Sequence, residues 1–250
     1  MDRDFFEQLS EAARAAIKGE IGVGLIGENK AAFGYDPVTA ADRSAELVLR
    51  ELIERNFPNH GIWGEEFGLV RGDSATRWSL DPVDGTRALL CDLPSWSVLV
   101  GLIENGRHVA GMIDLPALGE RLVAIGDETQ CNGRRVRTSG CASLAQARFS
   151  TTDPFLFSAG EAAAVERVRQ AARLSRYGLD AMGYARVATG GLDLVIESGL
   201  RPHDYDALIA VVRGAEGHIG DWEGGTAFAR GRVVAAASRK LYEEVVALLA

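Results

Sequence analysis

Cysteine is nearly missing from this 250-residue chain: Cys91, Cys131 and Cys141 are the whole set, with no CxxC pair. So sparse and odd a complement suits a reducing cytosol better than a disulfide framework. Long apolar runs are missing too. The opening segment MDRDFFEQLSEAARAAIKGE is charged and amphipathic, so neither a signal peptide nor a spanning helix is expected, and the expected location is the cytoplasm. Positive charge is in deficit: 27 Lys and Arg against 35 Asp and Glu leave a formal charge of -8. That balance argues against a nucleic-acid or membrane-surface binder. An anionic ligand would need local cations, supplied by lysine, arginine or bound metal. Glycine and proline are not in excess, and with 47% hydrophobic and 25% charged residues the chain reads as globular, with room for one large domain or two small ones.

The periodicities place the elements. Phe5, Phe6, Leu9, Ala12, Ala13, Ala16 and Ile17 recur at helical spacing and predict a first helix over 3–19, followed by a glycine-rich break. DPVTAADRSAELVLRELIERNFPNH predicts a second helix, with Thr39 or Asp42 near its start and Pro58 beyond its end. RWSLD, SVLVGLIE, RHVAGMID and ERLVAIG are strand-like, and Asn105-Gly106 between two of them is a hairpin signal. After about residue 145 strands and helices alternate: ARFSTT, a helix over 160–174, LDLVIES, a helix over 206–215, VVAAAS and a closing helix in KLYEEVVALLA. This order predicts layered α and β structure with a subdomain boundary near residue 140.

The chemistry concentrates in acid-bearing turns. In WSLDPVDGTRALL, Asp81 and Asp84 end an apolar strand and are followed by Gly85 and Thr86. Carboxylates so close repel unless a cation lies between them, and a divalent ion would hold both ionised. Mg²⁺ prefers oxygen ligands and uses a few carboxylates, waters and substrate phosphate. Glu65 and Glu66 lie in a turn of GIWGEEFG, and Asp204 and Asp206 of RPHDYDALIA stand before a predicted helix. Alone, each has an ordinary explanation: a solvated loop for the glutamates, a helix cap for Asp204 and for DPVTAAD. DPVDGT resists one, because two acids, Pro and Gly after an apolar strand make a rare combination. An aspartyl-phosphate reading of the haloacid-dehalogenase type is disfavoured, since that motif has one residue between its acids and this one has two. A helix beginning at Asp84 would leave the N–H groups of Gly85 and Thr86 for phosphate oxygens. His60, His108 and His218 show no metal spacing, Trp222 reads as a buried aromatic at a turn, and Cys91 has no base partner that would make it a nucleophile.

Assembled, DPVTAADRSAE, GEEFG, LDPVDGT and the Asp204 region with GAEGHIGDWEG occur in the order of the inositol monophosphatase family of metal-dependent, lithium-sensitive phosphatases, which the chain resembles nearly end to end. ENKAAFGYDPVTAADR, GIWGEEFG, DPVDGTRALL, LPALGERLVA, RYGLDAMGYA and the helix after RPHD make it most similar to the histidinol-phosphate phosphatase branch. The resemblance implies an α+β, layered αβαβα sandwich of the inositol monophosphatase and fructose-1,6-bisphosphatase type. Residues 1–140 would form an N-terminal subdomain with the metal motifs, and 141–250 a C-terminal subdomain that completes the site. It implies Glu65, Asp81, the Val83 carbonyl, Asp84 and Asp204 as ligands for two or three Mg²⁺ ions, and Glu65 with Thr86 and Asp42 as the group that orients and deprotonates a water. Asp84, Gly85 and Thr86 would bind phosphate, Asp180 and Glu197 the alcohol part of the substrate, and Glu66 would support Glu65. Asp204 is preferred to Asp206 because it lies thirteen residues before Gly217 and follows a ring residue, His203. His203, Asp206 and Asp92 depart from the family pattern. The implied activity is hydrolysis of a small phosphorylated alcohol, foremost L-histidinol phosphate in histidine biosynthesis. Inositol 1-phosphate, a broader sugar or nucleotide phosphate, and a non-catalytic metal-binding role are the alternatives. The implied assembly is a homodimer, with no nucleic-acid or membrane partner.

Overall fold

The computed structural model describes residues 2–30 and 37–250. Residues 31–36, which carry part of the ENKAAFGYDPVTAADR motif, lie outside them. The first layer is a helix pair, α1 (Arg3–Val23) and α2 (Ala40–Asn56). α1 runs four residues past its expected end, capped by Asp2, which accepts the Phe5 N–H at 3.0 Å. Its buried stripe is Phe5, Phe6, Leu9, Ala13 and Ile17. α2 starts with a reciprocal cap: Thr39 Oγ1 accepts from Ala41 N, and Asp42 Oδ2 accepts from Thr39 N at 2.8 Å. The two candidate start residues therefore act together, a device that contributes on the order of 1 kcal/mol. A short antiparallel ribbon pairs β1 (Glu28–Asn29) with β2 (Pro37–Val38).

The second layer is an eight-stranded sheet. It contains β3 (Gly61–Gly64), β4 (Gly68–Val70), β5 (Thr76–Asp84), β6 (Ser97–Glu104), β7 (Arg107–Leu115), β8 (Glu120–Ile125), β9 (Glu128–Cys131) and β10 (Arg134–Arg135), in the order β10-β9-β8-β7-β6-β5-β3-β4. Only β3 and β5 are parallel neighbours. Asn105 and Gly106 turn β6 into β7 with φ of +50° and +76°, the conformation that a tight two-residue hairpin requires. The short helix α3 (Thr86–Leu90) follows β5.

A second sheet joins β11 (Arg148–Thr151), β12 (Leu174–Tyr177), β13 (Leu194–Glu197), β14 (His218–Gly220) and β15 (Val233–Ala236) in the order β12-β11-β13-β15-β14. Helices α5 (Ala181–Ala188) and α6 (Pro202–Gly214) lie between the sheets, while α4 (Ala159–Ala171) and α7 (Arg239–Leu249) cover the outer face of the second. The stack is αβαβα, as the sequence resemblance implied. The apolar groups fall into three clusters, one under α1 and α2, one around α5 and α6, and one under α4 and α7.

Three expected boundaries move. The helix expected over 160–174 ends at Ala171, because residues 174–177 extend and pair in parallel with β11 as a sheet edge. The helix expected from Asp206 begins at Pro202, whose fixed φ suits a first helical position, and Asp204 reaches back to accept the Arg201 N–H at 2.6 Å. Asp204 and Asp206 are thus inside the helix rather than ahead of it. No helix starts at Asp84, which ends β5; Gly85 holds φ +80° and α3 opens at Thr86. Among the described residues no helix is long and apolar enough to cross a membrane.

Candidate active site

The parallel pairing of β3 and β5 builds one wall of the site. Gly64 is in register with Leu80, so both strands deliver their next residues, Glu65 and Asp81, to the same edge, and Glu65 N donates to Leu80 O at 3.1 Å. The turn after β3 hangs from a buried acid of α2: Glu46 accepts from Glu66 N at 2.7 Å and Phe67 N at 3.2 Å and is paired with Arg50. Its carboxylate fills the space beside Gly64, where a Cβ would lie 1.9 Å from Glu46 Oε1. Further along β5 the pairing with β6 breaks between Asp81 and Asp84, which turns the end of the strand. Asp81 Oδ1 accepts from Val83 N at 3.1 Å, and Asp84 Oδ2 accepts from Ala181 N at 2.8 Å and Ser97 Oγ at 3.1 Å. Gly85 then permits a left-handed backbone step, and it faces Asp180 so closely that a Cβ would stand 3.0 Å from the Asp180 carboxylate.

The opposite wall comes from the second half of the chain. α6 brings Asp204, the start of α5 brings Asp180, and the end of β13 brings Glu197. Together they enclose a cavity of about 300 Å³, which every expected site residue except Asp42 lines. Asp42 lies behind that surface, fully buried, with Thr86 Oγ1 at 3.2 Å from its Oδ1 and at 3.1 Å from the Val83 carbonyl. The two aspartates of RPHDYDALIA separate. Asp204 lines the cavity, whereas Asp206 is buried against Arg77 and His108. Cys91 is exposed and lines no part of the cavity.

The electrostatics are dominated by like charge in a confined space. Burial, and then the neighbouring acids Glu65, Asp84 and Asp204, push Asp81 well above the usual carboxylate range. Burial and Asp180 do the same to Asp84, against the opposing Ala181 amide. Burial raises Asp204, opposed by His203. It raises Asp180 to about 6, opposed by Arg87, and Glu197 to about 7, opposed by the Thr152 amide and hydroxyl. Asp42 is raised by burial too, opposed by its bonds to Thr39. Lys30 reaches one edge of the cluster, with Nζ 3.0 Å from Glu65 and also paired with Glu66. Burial lowers its ammonium, but the two glutamates more than offset that and hold it above its ordinary range.

An oxygen-only donor set, in which burial disfavours the ionised forms of Asp81, Asp84 and Asp204, is one that a hard divalent ion fits. Among the described residues no three acidic, histidine or cysteine side chains already converge as a finished metal cage. An ion that retains waters does not need one. The Tyr184 hydroxyl is buried on the cavity wall without a hydrogen-bond partner among the described residues, as a ligand-facing group would be. Sequence reasoning missed Tyr184, Lys30, Glu46, Ser97 and Thr152. Only Lys30 gave a signal, as a cation beside the motif DPVTAAD. Trp222 is buried at a turn, as expected, and its Nε1 donates to the Glu197 carbonyl at 3.1 Å and so fixes that end of β13.

The profile described as the inositol monophosphatase family matches residues 3–250. The chain is 43% identical over 191 residues to the bifunctional phosphatase IMPL2, chloroplastic, of Arabidopsis thaliana; the match takes in 75% of this chain and 55% of that protein, little more than half of its length. A histidinol-phosphatase of Chlorobaculum parvum is 32% identical over 215 residues, covering 85% of this chain and 83% of the relative. Nus factor SuhB of Haemophilus influenzae is also 32% identical over 215 residues, at 83% and 80% coverage. An inositol monophosphatase structure from Zymomonas mobilis superposes with a TM-score of 0.86 at 32% identity, covering 98% of this chain and 96% of that one.

Proposed function

This chain belongs to the inositol monophosphatase family, and we propose that it is a Mg²⁺-dependent phosphomonoesterase that hydrolyses L-histidinol phosphate to L-histidinol and inorganic phosphate. Glu65, Asp81, the Val83 carbonyl, Asp84 and Asp204 are the groups that would hold two or three ions. When bound, Mg²⁺ offsets the clustered negative charge and acidifies water. Thr86 Oγ1 donates to Asp42 Oδ1, so it would take a proton from the attacking water as its own passes to Asp42, while Glu65 orients that water. The amides at Gly85 and Thr86, both on the cavity lining, would hold the phosphate with Asp84. Asp81 is buried, tied to Val83 N, and serves as a ligand rather than a nucleophile, so phosphate passes directly to water.

The observation that carries the substrate assignment is the acidic wall that Asp180 and Glu197 form where α5 and β13 meet the cavity. Asp180 is half-buried there, beside Glu197, whose oxygens are held by Thr151 and Thr152. A substrate with an ammonium or imidazolium on its alcohol part meets that wall with opposite charge. A neutral polyol would not. The similarity to histidinol-phosphatases supports the same choice. The likeness to the Zymomonas inositol monophosphatase favours inositol 1-phosphate, or a broader sugar phosphate, as the second reading. The proposed setting is the cytoplasm and the proposed assembly a homodimer, which light scattering on the purified chain would test. The deciding experiment is a phosphate-release panel with Mg²⁺, using histidinol phosphate, myo-inositol 1-phosphate, fructose 1,6-bisphosphate and 3′-phosphoadenosine phosphate. Histidinol phosphate is expected to lead. Preference for inositol phosphate would overturn the substrate, and no turnover of any would overturn the enzyme.

A further inference from the structure

Asp206 lies two residues beyond Asp204, lines no part of the cavity, and is only 2% exposed. Two helical residues are separated by about 200°, so α6 turns Asp204 to the cavity and Asp206 to the large sheet behind it. Asp206 Oδ1 is 2.8 Å from His108 Nε2, and Oδ2 is 3.3 Å from Arg77 Nη2. These partners belong to different strands. Arg77 of β5 and His108 of β7 both pair with Ile103 of the strand between them, so one carboxylate ties the helix across three strands. The Arg77 guanidinium also lies 5.1 Å from the centroid of the Trp63 ring, and Trp63 precedes Glu65 by two residues. A continuous line of contacts, His108–Asp206–Arg77–Trp63, therefore passes beneath the cavity from the helix that carries Asp204 to the strand that leads into Glu65.

The backbone around Asp206 explains why the helix needs such a pin. A Cβ at Gly101 would stand 3.0 Å from Ala207 N and 3.1 Å from Asp206 Cβ, and one at Gly111 would stand 2.5 Å from Ala207 O. The two glycines face each other across β6 and β7, so this turn of α6 rests on bare sheet backbone. Helix roll is normally set by side-chain ridges seated in grooves; a glycine saddle offers none. At this turn the Asp206 carboxylate, held from two sides, adds a polar anchor to the apolar packing of the rest of α6.

We infer that Arg77, Asp206 and His108 are positioning residues that fix Asp204 relative to Glu65 for metal binding, an inference that rests on the proposed ligand roles of those two acids. The test is Mg²⁺ titration by calorimetry without substrate, on wild type, Asp206→Asn, Arg77→Met, His108→Ala and His108→Gln, with the melting temperature of each. Asp206→Asn, Arg77→Met and His108→Ala are expected to bind Mg²⁺ about tenfold more weakly. In turnover, the Mg²⁺ needed for half-maximal rate rises to match, while KM for substrate at saturating Mg²⁺ stays within about twofold. His108→Gln keeps a donor toward Asp206 and is expected to retain wild-type affinity. Lower melting temperatures with unchanged Mg²⁺ affinity would overturn the inference alone. A wild type that binds no Mg²⁺ would overturn the proposed function and this inference with it. If Asp206→Asn does not fold, the Arg77 and His108 variants decide the matter.

Discussion

Glu65 stands between two demands, an ammonium 3.0 Å away on Lys30 and a cavity already crowded with acids. Glu65→Gln keeps the volume and can still accept from Lys30, so the fold is expected to survive. The charge that orients water and attracts metal is lost, and kcat should fall about a thousandfold; near-normal turnover by this variant would rule out the proposed chemistry. Asp180 makes a narrower prediction. Asp180→Asn should raise KM for histidinol phosphate about tenfold and leave KM for inositol 1-phosphate unchanged, which steady-state kinetics on both esters will show. Much of this was legible in the chain because Asp81, Asp84, Gly85 and Thr86 form a combination that few structural roles require. Ser97 and Tyr184 were not, since nothing but folding brings them to those acids.

Among the elements, α6 shows where periodicity falls short. Apolar spacing marks the body of the helix from Ala207 onward, but its start depends on Pro202 and on Asp204 folding back to Arg201, contacts that pattern alone does not reveal. That double duty of Asp204 yields a prediction. Asparagine can still accept the Arg201 N–H, so Asp204→Asn should keep the helix and its melting temperature. It should weaken Mg²⁺ binding at least about a hundredfold, well beyond Asp206→Asn, as measured by calorimetry. The edge strand at Leu174–Tyr177 escaped the sequence for a related reason. Leu174 is 44% exposed, so no clear alternation of buried and exposed positions marks the segment, and only its pairing with β11 makes it a strand.

For the whole molecule, the acidic cavity links stability to pH and metal. Glu197 at about 7 and Asp180 at about 6 are raised by burial above their unfolded values, near 4. Between those limits the folded state binds more protons than the unfolded chain, so the metal-free protein loses stability as pH rises through that window. Thermal melts in EDTA should therefore give a higher melting temperature at about pH 5.5 than at about pH 8. Saturating Mg²⁺ should raise it more at the higher pH, where ions replace protons. Equal shifts at both pH values would contradict this linkage. Layered α and β structure was legible from the succession of helices, hairpins and alternating units, and the αβαβα order from the family resemblance. The pattern of elements alone does not place α5 and α6 between two sheets, because burial on both sides looks the same in sequence from either direction.

The cavity has two walls drawn from distant parts of the chain: Glu65, Asp81 and Asp84 on one side, Asp180, Glu197 and Asp204 on the other, with more than a hundred residues between Asp81 and Asp204. Contacts that long in sequence close late, because the entropy of closing the loop precedes any gain from the contact. During refolding, secondary structure and the α1–α2 core can therefore form well before the two walls meet. In a stopped-flow experiment, competence to bind Mg²⁺ would then be the last signal to return, and a nascent chain stalled before Asp180 would carry three of the six acids and only one wall of the site.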